Sequence, residues 1–129
     1  MEFVIGQSAC ISKVITAEDV AAFARLSGDH NVIHTPEGPH FPFDAAICHG
    51  FLVGSLISRV IGMELPGPGS VYLSQSMKFL KPVYIRDEVT AQVEIIGIRP
   101  EKEIYTLRTT VRNQHQELVL DGEAVVKRF

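Results

Sequence analysis

The chain has 129 residues, 46% of them hydrophobic, and a formal net charge of -3; that size suits one domain over 1–129 with a sizeable core. Apolar content at a mean hydropathy of +0.15 excludes disorder for most of the length. The acidic balance, with a pI near 5.9, excludes general nucleic-acid binding, which needs a basic face.

Two cysteines, Cys10 and Cys48, cannot build a disulfide framework and point to a reducing compartment. The start, Met1 to Gly6, lacks a basic stretch followed by a long apolar run, so no secretory signal is expected. The longest apolar run, around 51–61, is too short to span a bilayer. The expectation is a soluble cytoplasmic protein with no membrane or nucleic-acid partner.

In chain order, Thr16 to Leu26 reads as a helix, with Thr16 as N-cap and Asp19 at the capping-box position. Ala17, Val20, Ala21 and Ala24 recur at helical spacing and should face the core. Gly28 and Asn31 are turn formers, so 27–34 leaves the helix as a loop. Thr35 to Asp44 holds three prolines and a glycine, which predicts irregular backbone; Phe41 and Phe43 there either flap over a pocket or anchor the loop. Gly50 to Ile61 is a second helix, apolar nearly all round and therefore expected to be buried. The turn Pro66-Gly67-Pro68-Gly69 follows it.

After Ser70 the pattern changes to strands over Val71–Leu80, Asp87–Ile98, Glu103–Gln114 and Leu118–Lys127. Val89, Ala91, Val93 and Ile95 alternate with polar neighbours, as do Tyr105, Leu107, Thr109 and Val111. Period two means a half-buried antiparallel sheet. Helices first and consecutive strands after predict an α+β fold, with the sheet wrapped around the 50–61 helix.

The densest chemistry lies just after the first helix. Asp29, Asn31 and His34 fall within six positions on a turn, and His49-Gly50 opens the second helix. A carboxylate and an imidazole side by side can hold one water and move its protons. A helix start offers free N–H groups and a positive dipole end to a developing anion.

The run Phe23-Ala-Arg-Leu-Ser-Gly-Asp29-His-Asn31-Val-Ile-His34 resembles the hydratase-2 motif of the MaoC-like (R)-specific enoyl-CoA hydratases. The likeness continues through His49-Gly50-Phe51-Leu52, through Pro66 to Leu73, through Pro82 to Val89 and to Gly122–Val126, so it covers almost the whole chain. It is nearest to the short single-domain hydratases linked to polyhydroxyalkanoate supply. The resemblance implies a hotdog fold, a long helix wrapped by an antiparallel sheet and paired into a homodimer. It implies hydration of a trans-2-enoyl-CoA thioester to the (R)-3-hydroxyacyl-CoA, with no metal and no redox cofactor. By motif match Asp29 and His34 take the catalytic positions and Asn31 the supporting one. Gly50 takes the place whose backbone N–H polarises the thioester carbonyl, and Ser58 that of a helix serine near the active site. Two departures stand out: Val32 replaces the usual proline, and the segment from His34 to His49 is shorter and richer in proline.

Blander readings compete. An Asp-x-Asn turn often only caps backbone N–H groups. His30, His34, His40 and His49 crowd within twenty residues, yet no HExxH or Cys-His pattern accompanies them, so no metal is expected and His30 and His40 read as exposed loop residues. His49 either binds substrate or shapes the helix start. Ser58 on an apolar helix is commonly a small packing residue. Nothing near Cys48 would activate it as a nucleophile. Tyr72, Phe79, Tyr84 and Tyr105 read as core or interface. Lys78, Lys81 and Arg86 are candidates for CoA phosphates, although such charges are usually only solvated. A 3-hydroxyacyl-carrier-protein dehydratase, a thioesterase and a non-catalytic acyl-thioester-binding subunit are the alternatives on the same fold.

Overall fold

A computed structural model describes residues 3–40 and 42–129. Phe41, one half of the expected aromatic flap, lies outside the described residues.

The chain opens with a strand, β1 (Ser8–Val14), for which the sequence gives little warning. Its inward positions, Ala9, Ile11 and Lys13, carry one large apolar side chain among them, too weak an alternation to read. Helix α1 (Ala17–Ser27) follows, and the expected capping box is present: Thr16 Oγ1 accepts from the Asp19 N–H at 3.0 Å and Asp19 Oδ2 from the Thr16 N–H at 2.9 Å. Lys13 Nζ, 3.1 Å from Asp19 Oδ2, helps hold that carboxyl below its usual range, after the larger effect of the Thr16 backbone bond. Of the four α1 residues expected to face the core, Val20 is buried, Ala21 and Ala24 are half-buried and Ala17 is exposed.

Helix α2 (Gly50–Met63) runs two residues beyond the expected end. The strands β2 (Ser70–Phe79), β3 (Glu88–Arg99), β4 (Ile104–Arg112) and β5 (Leu118–Arg128) shift by only one or two residues from the sequence reading. All neighbours are antiparallel, in the order β1-β3-β4-β5-β2. The sheet curls over α2, which meets strands β1 to β4.

Alternation along β3 and β4 delivers the core as expected: Val89, Ala91, Val93, Ile95, Leu107 and Val111 are fully buried. From α2 the matching residues are Leu52, Val53, Leu56, Ile57, Val60 and Ile61. Each such side chain contributes about 1.5–3 kcal/mol relative to exposure. The expectation that α2 is buried all round needs correction. Its other face, Phe51, Ser55, Ser58, Arg59 and Met63, is exposed in the single chain. Only one stripe of the helix meets the sheet, and among the described residues no layer covers this face. The neighbouring edge strand β2 is likewise exposed at Val71, Tyr72, Leu73 and Phe79.

Candidate active site

The turn after α1 is built by local bonds. Gly28 ends the helix at φ 78°, a left-handed conformation that glycine adopts at no steric cost, and its N–H donates to the Ala24 carbonyl at 2.8 Å. The Asp29 N–H then donates to Ser27 Oγ at 3.1 Å. Asp29 Oδ1 accepts from the Asn31 N–H at 3.1 Å, and Asn31 Oδ1 accepts from the Ile33 N–H at 3.3 Å. Asn31 therefore steadies the carboxylate through its backbone, while its side chain caps the short 3-10 turn Val32–His34. Among the described residues nothing donates a hydrogen bond to Asp29 Oδ2.

The His34 ring is locked from the other side. Its Nδ1 lies 2.7 Å from the Ile47 carbonyl, which can only accept, so Nδ1 carries a proton and Nε2 is the ring's remaining site. Ile47 returns the contact by donating its N–H to the Ile33 carbonyl at 3.0 Å. His34 Nε2 stands 3.9 Å from Asp29 Oδ2, too far for a direct hydrogen bond. A water with arms of about 2.8 Å to both atoms closes at an angle of about 90°, within its reach. The imidazole is 9% exposed and the carboxylate 51%, so one partner is fixed in the wall while the other faces open space.

His49 precedes α2, and its carbonyl takes the N–H groups of Leu52 and Val53 at 3.1 and 3.2 Å. No acceptor among the described residues takes the N–H of Gly50 or Phe51. The α2 N-terminus thus presents two free donors with the positive end of the helix dipole. A Cβ on Gly50 would lie 2.8 Å from Cε1 of Phe79, so the bare backbone lets β2 approach the helix start.

These groups share one cavity of about 680 Å3, lined by Asp29, His34, His49 and Gly50 and otherwise mostly apolar. Phe23, Ile33, Phe43, Val53, Phe79, Val83 and Val119 supply the apolar wall. Phe43 lines the cavity, in line with the first of the two readings given for it. Lys81 also lines the cavity; its Nζ is 2.6 Å from Glu117 Oε2 and holds that carboxyl below the usual range. Cys48 is a wall residue too; burial, then the Asp87 and Asp19 charges, push its thiol up to about 12, so it is a neutral group there.

Several expected residues fall elsewhere. Ser58 is exposed two turns along α2 and lines no part of this cavity; its position on the uncovered face of the helix is the reason. Asn31 is exposed and also outside the lining. His30 is exposed as expected and borders a second cavity of about 430 Å3 against α1. His40 is half-buried rather than exposed, because its Nε2 donates to the Thr35 carbonyl. Phe79, Val83 and Val119 had no local signal marking them as site residues, since the curl of the sheet brings them to Gly50.

Donor atoms of Asp29, His34 and His49 lie within 4.8 Å of one another, a spacing that invites a metal. The ring geometry does not suit one. His34 and His49 stack with centroids 3.8 Å apart at 23°, so their in-plane lone pairs lie in two nearly parallel planes. A metal ligated at about 2.0–2.1 Å by both needs lone pairs that converge.

The sequence profile of the MaoC like domain matches residues 5–117. The chain belongs to the MaoC-like family. It is 47% identical to the (R)-specific enoyl-CoA hydratase of Aeromonas caviae, over 95% of this chain and 93% of that one. It is 43% identical to the 3-hydroxybutyryl-CoA dehydratase of Methylorubrum extorquens, over 95% and 79%. Among solved structures, the (R)-hydratase from A. caviae involved in PHA biosynthesis superposes with a TM-score of 0.94 at 46% identity, covering 98% of both chains. The MaoC-like chain has the hotdog fold that the sequence resemblance implied.

Proposed function

We propose that this protein hydrates trans-2-enoyl-CoA thioesters to (R)-3-hydroxyacyl-CoA, and catalyses the reverse dehydration, as one catalytic domain over 1–129. The observation that carries the reading is the 3.9 Å gap between Asp29 Oδ2 and His34 Nε2 on the wall of the cavity that also contains Gly50. Relatives named as enoyl-CoA hydratase and 3-hydroxybutyryl-CoA dehydratase support it.

In the forward direction a water held by Asp29 and His34 adds its oxygen to the β-carbon. Its proton passes to one of the two groups, and the other returns a proton to the α-carbon, so one water is added in sum. As the β-carbon is attacked, negative charge develops on the thioester oxygen. The free N–H at Gly50, at the positive end of α2, is set to receive it. The apolar walls exclude bulk water and strengthen both interactions. Asp29 and His34 act as the acid/base pair, Gly50 as the oxyanion donor and Asn31 as the support of the Asp29 turn.

The partner is a second copy of the chain. The apolar side chains Val71, Leu73 and Phe79 on edge strand β2, with Phe51 and Met63 on α2, form an exposed surface beside the cavity. A homodimer would cover it, and with it the face that carries Ser58. Two free cysteines fit a cytoplasmic setting.

The test is incubation of the purified protein with crotonyl-CoA, followed by loss of the conjugated alkene and chiral analysis of the product. (R)-3-hydroxybutyryl-CoA is expected, with slower turnover of the corresponding carrier-protein thioester. Absence of turnover over a range of chain lengths by folded protein, or an (S) product, overturns the reading.

A further inference from the structure

His49 is 2% exposed, yet one of its two ring nitrogens has no partner among the described residues. Its Nε2 lies 2.9 Å from the carbonyl oxygen of Asp29. A carbonyl only accepts, so Nε2 carries the proton and the enclosed Nδ1 is a bare lone pair. A second proton on Nδ1 would be a buried donor without an acceptor, on a ring stacked 3.8 Å from His34. The helix start gains nothing from the side chain, because His49 makes no side-chain cap bond where Ser, Asp or Asn would make one. A buried unsatisfied acceptor that does not cap its own helix calls for another reason to be there.

That reason is the neighbourhood. His49 is bonded to the backbone of Asp29, and its ring lies face to face with His34 at 23°. On a further side Phe23 of α1 packs at 4.9 Å. The titratable groups around it are Asp29 and His34 from the turn after α1 and the adjacent Cys48. We infer that His49 is a positioning residue, which sets the spacing between the Asp29 carboxylate and the His34 ring by one hydrogen bond and one ring stack. This deepens the hydratase reading and rests on it. Asp29 hangs on a turn and is half-exposed, so without this tie the water-sized gap between the pair widens or closes.

Two variants separate the ties. His49→Phe keeps a ring for the stack and loses the N–H to Asp29; His49→Gln offers an N–H and loses the ring. Each is expected to lower kcat for crotonyl-CoA by about 10²-fold, the scale of a misplacement near 1 Å. KM should stay within about twofold, because the apolar wall and Gly50 still bind the thioester. A purely structural role would lower the folded fraction and leave kcat per folded molecule unchanged. A kcat within threefold of the parent in both folded variants therefore overturns the inference. If neither variant folds, long-range 15N–1H correlation on the unaltered protein decides it. A neutral ring with its proton on Nε2 and none on Nδ1 supports the inference. A neutral ring with its proton on Nδ1 instead sinks it. The spectra need no turnover, so a protein that fails to hydrate crotonyl-CoA overturns the functional reading separately.

Discussion

Replacing Asp29 by asparagine removes one charge and exchanges a single oxygen for an amide nitrogen. The bond from the Asn31 N–H to Oδ1 can persist, so the turn keeps its shape. At Oδ2, 3.9 Å from His34 Nε2, an amide donor now faces the ring and cannot take a proton from water. Loss of one acid/base group costs about 10²- to 10⁴-fold in kcat, or about 2.7–5.5 kcal/mol of transition-state free energy. Stability should move by no more than about 0.5 kcal/mol, because the carboxylate is half-exposed and its partner lies beyond hydrogen-bonding distance. The two magnitudes differ several-fold, and that separation makes the variant informative. Steady-state hydration of crotonyl-CoA gives kcat, and urea unfolding of the same preparation gives stability. A kcat within threefold of the parent, with an unchanged unfolding midpoint, refutes the assignment of Asp29 to proton transfer. Equal losses in both measurements would instead make the Asp-x-Asn turn structural.

Gly50 can be tested at its N–H as well as at its missing Cβ. Gly50→Pro deletes the donor at the first helical position, where proline fits the backbone, and should cost about 10²- to 10³-fold in kcat. Gly50→Ala keeps the donor but crowds the Phe79 ring, so adding Phe79→Leu should restore activity to the alanine variant and not to the proline variant; equal rescue of both would remove the oxyanion role. With its thiol pushed up to about 12, Cys48 holds on the order of 10³-fold less thiolate at pH 9 than a thiol at the ordinary value of 9.0. Iodoacetamide at pH 9 should therefore modify exposed Cys10 quickly and Cys48 only after unfolding; fast uptake of two equivalents by native protein, counted by mass spectrometry, contradicts the burial argument.

What the sequence makes legible follows the range of the physics involved. Thr16 and Asp19 announce α1 because a capping box joins two residues only three positions apart, and the structure closes it with two bonds. Strands β3 and β4 are readable because period two and one-sided burial coincide at Val89 to Ile95 and at Tyr105 to Val111. β1 is not readable, since a strand held by seven backbone pairs with β3 needs little side-chain pattern of its own. The same division holds at the site. Asp29, Asn31 and His34 lie close in sequence and meet through local bonds. Phe79, Val83 and Val119 reach the cavity only through the curl of the sheet. Ser58 was drawn in by motif alone, and a helix with one covered face leaves it outside in the single chain.

The join between turn and helix lies in the segment 46–48, which the sequence reading leaves unassigned between the irregular stretch 35–44 and the second helix. Ile47 accepts from His34 Nδ1, donates to the Ile33 carbonyl and bridges to Tyr84. The next residue, Cys48, donates its N–H to the Val83 carbonyl at 2.7 Å. Ala46, Ile47, Cys48 and His49 are all buried, so this extended piece is packed as firmly as a strand. Through it the ring that faces the carboxylate and the first free N–H of α2 are fixed to the same sheet. Acid/base catalysis and oxyanion stabilisation need their groups at fixed distances from one substrate. A ring-to-carbonyl bond and a backbone bond at Ile47, with one backbone bond at Cys48, supply that constraint between residues sixteen positions apart.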